Sequence, residues 1–280
     1  MNSAALLALA GAASYGIADF VGGLLSRRTS AWAVAFVASL SSALAVAAAA
    51  PFLPGDPSTA DLAWGGLGGI GAGFGVGFLY RGLAAGRMGV VAPISGVGAA
   101  VVPVLVALTL GERPAALVWI GIACALPGIW LVAHDPRSDA RTTGRAEGVV
   151  DGLLAGVGFG GQFAALGQIQ EGAGALPLGV NQLVAAVVVV GLAIGARAAW
   201  LPRDRAAYSG VVAGLLGLGA TGAFVVAAQH GSLTVSSVLT SLYPAFTIVL
   251  AAVVLRERIL RPQAFGLALC GLAVVLVATG

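Results

Sequence analysis

One carboxylate, that of Asp19, lies well inside a long apolar run of the sequence. If this run crosses a bilayer, a charge at such depth costs several kcal/mol unless it is paired, hydrated or neutralised by a proton. Arg81, near the end of another apolar run, lies at a comparable predicted depth and is the candidate partner. The sequence leaves three roles open for Asp19: a structural ion pair with Arg81, a coupling site that binds protons or substrate, or exposure to water.

Uncharged polar side chains cluster on a few of the apolar runs. Inside a bilayer, hydroxyl and amide groups find partners within the protein, so they either join helices or line a wet cavity. A bond to the backbone of its own helix is the alternative interpretation of each serine and threonine. The candidate residues for a substrate cavity are Tyr15, Asp19, Tyr80, Ser95, Gln162, Thr240, Ser241 and Tyr243.

The other side chains with reactive groups are poorly placed for catalysis. They are two Glu-Arg dipeptides, two cysteines and two histidines: Glu112-Arg113, Glu257-Arg258, Cys124, Cys270, His134 and His230. The dipeptides lie at predicted helix ends, where capping and topology explain them. The cysteines and histidines lack partners at metal-ligand spacing. We therefore expect no catalytic residues, no metal site, no cofactor and no enzymatic activity.

Composition and hydropathy predict the elements that carry these residues. Of the 280 residues, 59% are hydrophobic and 9% are charged, and the mean hydropathy is +1.00. Soluble domains contain about 25% charged residues, so a water-soluble globule is excluded. Because about 20 apolar residues cross a bilayer, the pattern predicts an all-α integral membrane protein with ten transmembrane helices, near residues 4–25, 31–53, 62–82, 88–110, 115–134, 148–168, 175–198, 208–229, 233–255 and 262–279.

The two halves of the chain are related by an internal duplication. An offset of 145 positions, which separates Glu112 from Glu257, also aligns Ser95 with Thr240 and a series of glycines from the first span to the fifth. Because each copy has an odd number of spans, the second enters the membrane in the opposite sense, which makes the repeats inverted. The predicted domains are a first five-helix repeat over residues 1–135, a cytoplasmic linker over 136–145 and a second five-helix repeat over 146–280.

The arginines predict the orientation of the chain. All 14 basic residues are arginines, and in the ten-helix topology Arg113 alone lies on one face while the others lie on the opposite face. Cytoplasmic loops are enriched in basic residues, so we expect the crowded face to be cytoplasmic and both termini to be extracytoplasmic, in the inner membrane of the cell. Since the arginines flank the spans, the net charge of +3 indicates orientation and no nucleic-acid partner.

A duplicated five-helix unit whose fourth helix ends in Gly-Glu-Arg resembles the EamA-type carriers of the drug/metabolite transporter superfamily. The residues that carry the resemblance are Val90-Val91-Ala92-Pro93, Leu110-Gly111-Glu112-Arg113, Tyr243-Pro244 and Leu255-Arg256-Glu257-Arg258. The likeness covers essentially the whole chain. It implies alternating access around a central cavity between the repeats, and export of small metabolites such as amino acids.

We therefore expect a multi-pass carrier that exports a small polar or amphipathic metabolite, with amino-acid-like solutes favoured and protons as a candidate coupling partner. Its partners are the small-molecule substrate and the lipid bilayer, and a monomer and a homodimer are equally compatible with the sequence. One alternative is translocation of drugs or of a lipid carrier. Another is a structural or receptor-like membrane protein without transport, although the full-length duplication argues against it.

Overall fold

The protein, in a computed structural model that describes residues 3–85, 88–133, 145–254 and 259–279, consists of helices joined by short loops. The helices of the first half are α1 Ser3–Ser26, α2 Ala31–Ala49, α3 Thr59–Ala84, α4 Met88–Thr109 and α5 Ala116–Ala133. Those of the second half are α6 Arg145–Leu166, α7 Leu176–Gly195, α8 Arg205–Tyr208, α9 Gly210–His230, α10 Leu233–Thr240, α11 Tyr243–Val254 and α12 Arg261–Thr279.

Every predicted span overlaps one of these helices or a consecutive pair of them. Within the described residues, eight segments are long and apolar enough to cross a membrane, where α8 with α9 and α10 with α11 each count as one segment. Two further apolar segments, Ile94–Thr109 of α4 and Ala116–Val132 of α5, are shorter. The protein is thus an all-helical, multi-pass membrane protein, and the number of ten spans stays a prediction.

The ninth predicted span is divided into α10 and α11. Proline has no backbone N–H, and its ring clashes with the carbonyl four residues earlier. In an unbroken helix, the ring of Pro244 would clash with the carbonyl of Thr240, which is the last residue of α10. The ninth predicted span, 233–255, thus consists of two helices, and the two pieces together have the length of a span.

Helices of the first half pack mainly against helices of the second. α1 contacts α9 and α11, and α6 makes the corresponding contacts with α3 and α4. α2 packs on α7, and α5 packs on α12. When each helix is replaced by its counterpart in the other half, the α1–α9 and α1–α11 pairs become the α6–α3 and α6–α4 pairs. The α2–α7 and α5–α12 pairs become themselves, as expected for two copies of one five-helix unit.

Hydrogen bonds between loops define the two ends of the bundle. At one end, the Thr29 hydroxyl donates to Asp204 at 2.7 Å, joining the α1–α2 and α7–α8 loops. This hydrogen bond, followed by the Ala207 backbone amide, holds the pKa of the exposed Asp204 carboxyl below its ordinary value. At the other end, the Gln170 backbone amide donates to Asp61 at 2.9 Å, joining the α6–α7 loop to α3. α1 and α6 therefore end on opposite sides and run in opposite directions.

Glycines allow the backbones of α3 and α6 to touch. A Cβ atom added to Gly158 of α6 would lie 2.6 Å from the Gly71 carbonyl oxygen and 2.6 Å from the Gly75 amide nitrogen. Gly161, three residues later on α6, has no such neighbour within 4 Å. The close contact is therefore local to one face of the helix, and in lipid such backbone packing is a main source of helix association.

Candidate functional site

A small polar cavity lies inside the bundle, between helices of both halves. Its volume is about 60 Å³. Asp19 of α1 borders it and is partly exposed there. The polar side chains that line the cavity are Tyr15, Asp19, Ser39, Ser42, Tyr80, Gln162, Gln182 and Thr221. Four of the predicted candidates, Tyr15, Asp19, Tyr80 and Gln162, thus lie together.

Aromatic rings surround a second recess beside Asp19. This recess is lined by Tyr15, Phe159, Phe163 and Tyr243 together with Asp19. The Tyr15 ring centroid is 5.9 Å from that of Phe163 and 6.2 Å from that of Tyr243. The Phe159 and Tyr243 centroids are 6.4 Å apart. The four residues form a contiguous group, called here the aromatic cluster.

The phenol groups of this cluster are hydrogen-bonded away from Asp19. The Thr221 hydroxyl donates its one hydrogen to the Gly217 carbonyl at 2.8 Å, so in its 2.6 Å bond with Tyr15 it acts as the acceptor. Tyr15 is therefore the donor in its bond with Thr221. Neither bond uses the Asp19 carboxylate.

Tyr243 follows the same pattern in the other half of the protein. The Ser95 hydroxyl donates to the Ala92 carbonyl at 3.1 Å and therefore accepts the hydrogen of Tyr243 across 3.3 Å. Ser95 itself is fully buried, contacts the Tyr243 hydroxyl and is not among the described residues that line the cavity. Its contribution to the predicted site is thus to hold the Tyr243 hydroxyl.

Asp19 has no ion-pair or hydrogen-bond partner within the described part of the chain. The predicted pair with Arg81 is wrong, because Arg81 forms a salt bridge with Asp151 of α6. The Arg81 Nε atom donates to Asp151 Oδ1 at 2.9 Å, and the guanidinium lies 4.5 Å from the centroid of the Phe78 ring. The glycine contact between α3 and α6 explains this choice of partner, since it brings the two antiparallel helices close enough for their side chains to meet.

Two further predicted candidates, Thr240 and Ser241, are like Ser95 absent from the described cavity lining. The Thr240 hydroxyl donates to the Ala8 carbonyl of α1 at 3.3 Å, and the Ser241 hydroxyl donates to the Val238 carbonyl at 2.9 Å. Thr240 thus joins two helices, and Ser241 binds backbone next to the break that precedes Pro244. Both residues are fully buried.

Several lining residues are absent from the predicted set of candidates. Ser39 and Ser42 carry hydroxyl groups on the mainly apolar α2, and Gln182 carries an amide group on α7. The Ser42 hydroxyl donates to the Gly214 carbonyl of α9 at 2.8 Å. A polar residue in the middle of an apolar span is the signal that could have identified them, because such groups seek partners inside the bundle.

The predicted capping role of the first Glu-Arg dipeptide extends across the two halves. The Glu112 carboxylate accepts from the backbone amides of Leu233 at 2.8 Å and Thr234 at 3.2 Å, at the start of α10. A carboxylate at this position satisfies free helix amides and stabilises the helix dipole. The second dipeptide, Glu257-Arg258, and His134 lie outside the described residues. In the described ranges no three His, Cys, Asp or Glu side chains are grouped for metal binding.

The fold and the cavity together define a multi-pass helical membrane protein with two like halves around a buried polar site. Residues 2–133 and 147–279 each match the model of the EamA-like transporter family. The chain belongs to this family, and the resemblance inferred from its duplicated unit and motifs is confirmed.

One solved structure, described only as a crystal structure of a protein, is similar over 99% of this chain and 98% of its own. The sequence identity is 17% and the TM-score is 0.67. At this identity the likeness shows the shared fold alone. The comparison with curated proteins gives no match.

Proposed function

We propose that the protein is an alternating-access carrier that exports a small metabolite, with the Asp19 cavity as its binding site. The observation that carries the proposal is the position of the Asp19 carboxylate, unpaired among the described residues, in a polar cavity between the two halves. Intramembrane ionisable groups that face a cavity mark substrate and ion pathways. Membership of a transporter family supports the same conclusion.

The size of the cavity supports movement of the two halves during transport. Its volume is about 60 Å³, whereas ligand sites for small molecules enclose roughly 300–1,000 Å³. A metabolite therefore enters only when helices of the two halves separate. Rocking of one repeat against the other around a fixed site is the motion that inverted repeats allow.

Protons are the coupling partner in this proposal. The titratable side chains that border Asp19 are Tyr15 on its own helix, Tyr80 on α3 and Tyr243 on α11. None of these groups supplies a compensating positive charge. Asp19 is then neutralised by a proton in one access state and by the substrate in the other, so the two compete for one site.

Flux measurements in proteoliposomes test the transport function. Vesicles that contain the protein are loaded with a metabolite extract, and the same labelled extract is supplied outside. We expect counterflow of at least one solute, identified by mass spectrometry, because a carrier exchanges its substrate across the membrane. Metabolite profiling of the medium from cells with and without the protein should show the same solute. Absence of counterflow for every solute would favour the structural or receptor-like alternative.

Transport of a drug or a lipid carrier is the second candidate function, and one feature favours it. An apolar groove of about 600 Å³ lies between α3, α4 and α6. It is lined by exposed side chains such as Leu67, Ile70 and Val157. The groove offers an apolar surface to a drug or to the tail of a lipid carrier.

The orientation is a further part of the proposal, with both termini outside the cytoplasm. Arg27, Arg28, Arg197, Arg203 and Arg205 belong to the end of the bundle at which Thr29 and Asp204 are joined. The positive-inside rule assigns this end to the cytoplasm. A reporter fused after Gly280 should therefore be active only on the extracytoplasmic side. Cytoplasmic activity of the fusion would contradict either the orientation or the number of ten spans.

A further inference from the structure

We propose that α10 is a gate between the cavity and one end of the bundle, and that the Glu112 carboxylate holds this gate closed. The end in question, called here the Asp61 end, is the one at which Gln170 is bonded to Asp61. The inference rests on the proposed transport function and adds the helix past which the substrate leaves and the residue that controls it. Four features support it: apolar packing, a bond between the two halves, a hinge and unpartnered hydroxyl groups.

Apolar packing closes the cavity towards the Asp61 end. A buried cluster extends from the aromatic cluster to the α6–α7 loop and includes Leu233, the first residue of α10. Its residues at the end of α6, in this loop and on α10 are called here the apolar plug: Leu166, Ile169, Ala173 and Leu233. The Gln229 side chain, at the end of α9, donates to the carbonyls of Ile169 at 3.2 Å and Gln170 at 3.0 Å, which places the plug at the Asp61 end. A polar solute does not pass while these side chains are packed together.

The end of α4 directs Glu112 to the tip of α10. Gly111 has a φ of +95°, in the left-handed region that favours glycine. The Glu112 backbone amide donates to the Ala107 carbonyl at 3.0 Å, a bond of the Schellman type that reverses the chain after a helix. From this position the Glu112 carboxylate accepts from the amides of Leu233 and Thr234. A residue of the first half thus holds in place a helix of the second half that carries part of the plug.

α10 begins as a helix without help from Glu112. The Ser232 hydroxyl accepts from the Val235 amide at 3.1 Å and is the N-cap of α10 from within the same half. Free amides at a helix start are also satisfied by water, and Ser232 is preceded by the exposed Gly231. The bond to Glu112 therefore determines where α10 lies rather than whether it is helical.

A hinge lies at the opposite end of α10. α10 ends at Thr240 and α11 begins at Tyr243, so the residues between them join two helices. Pro244 has no backbone N–H to donate to the Thr240 carbonyl, which leaves this junction without one helical hydrogen bond. Hinges are element ends of this kind, where a few residues absorb a change of backbone angles. Rotation at the junction moves the tip of α10 and withdraws Leu233 from the plug.

Hydroxyl groups on one side of α10 lack partners while the gate is closed. Four of the eight residues of α10 carry hydroxyls, and at about 100° per residue they share one half of the helix surface: Thr234, Ser236, Ser237 and Thr240. Within the described residues, the hydroxyls of Thr234, Ser236 and Ser237 are buried and have no hydrogen-bond partner. Buried polar groups without partners cost free energy, which hydration recovers. These hydroxyls are therefore suited to line a wet path when α10 moves.

The reactivity of a cysteine on α10 tests the gate. Ser237→Cys is introduced into the full chain after Cys124 and Cys270 are replaced by alanine, and the purified protein in lipid nanodiscs is treated with a charged thiol reagent. Reaction should be slow, because Ser237 is fully buried. It should be about fivefold or more faster with Glu112→Gln, since a neutral amide oxygen binds helix amides more weakly than a carboxylate. Glu112→Ala, which removes the acceptor, should give a further increase.

Three comparisons separate opening of the gate from loss of folding. Val189→Cys lies on α7 in another core cluster, is as buried as Ser237 and should stay unreactive in every background. Glu171→Gln, which removes an exposed carboxylate of the α6–α7 loop, is the matched control and should leave the rate at Ser237→Cys unchanged. Leu233→Ala shortens the plug with Glu112 in place and should also raise this rate. Thermal melting verifies that each variant is folded.

The outcomes distinguish the gate from the proposed transport function. An unchanged rate at Ser237→Cys with Glu112→Gln and with Glu112→Ala overturns the gate, even if counterflow of a solute is observed. An equal rise at Val189→Cys also overturns it, because the whole protein has then loosened. A rise confined to Ser237→Cys supports the gate. Since the assay contains no substrate, that rise together with absent counterflow would leave the gate standing while the transport function fails.

Discussion

Asp19→Asn is expected to abolish accumulation of substrate driven by a pH gradient in proteoliposomes. An asparagine amide neither takes up a proton nor neutralises a cation, so exchange of labelled substrate at low concentration should also fall by about tenfold or more. Folded yield should be retained, because the substitution removes a charge that burial disfavours. Driven uptake, exchange and the yield of folded protein are measured on the same preparations.

Two comparisons make this experiment decisive. Glu171→Gln should leave all three quantities unchanged, since Glu171 is exposed in a loop. Arg81→Gln should not rescue Asp19→Asn, because Arg81 is paired with Asp151. Retained exchange with loss of driven uptake would confine Asp19 to proton coupling and contradict its role as a substrate ligand. Normal behaviour in every assay would remove Asp19 from the mechanism.

The second large effect is expected for the Arg81–Asp151 pair, which should contribute strongly to the stability of the folded protein. Removing one partner of a buried ion pair costs about 3–5 kcal/mol, because the other charge is left uncompensated. Asp151 is fully buried, while the Arg81 side chain is 38% exposed. Arg81→Gln is thus expected to cost about 2–3 kcal/mol, discounted for the solvent that reaches the arginine. Asp151→Asn should cost less, since its partner can turn towards water.

A double-mutant cycle checks this assignment. Melting temperature and denaturant stability of the two single variants and of Arg81→Gln with Asp151→Asn are compared in the same detergent. The double variant should recover part of the loss, because no charge is left buried alone. Strictly additive losses would show that the two side chains do not interact.

Helix positions follow closely from the sequence, for a physical reason. Each span is a nearly continuous apolar run, and the runs are separated by arginine, proline and acidic residues that remain in water. The bilayer requires the backbone hydrogen bonds of such a run to be satisfied within it, so a helix is the only local solution. The break before Pro244 does not follow from the sequence alone, because a proline inside a span either bends or breaks the helix, depending on its neighbours.

The candidate site was predictable only in part. Asp19 and Tyr15 are identified by the cost of a buried polar group, which depends on depth alone. The partner of Arg81 depends on how closely α3 approaches α6 and on which face each presents, and the composition of two helices does not determine that. Ser39 and Gln182 border the cavity for the same reason, because packing turns their faces of α2 and α7 inward.

Asp19, the one charged residue in the described cavity lining, also determines the electrical character of the transport cycle. The described lining carries one negative charge and no positive charge, so one proton or one monovalent cation restores neutrality. In the proposed competition of proton and substrate for Asp19, a substrate with one positive charge lets the carrier move between its two states as a neutral body in both directions. The membrane potential, which acts with about 2.3 kcal/mol per elementary charge per 100 mV, does no work on such a cycle. The concentration gradients of protons and substrate alone set its direction.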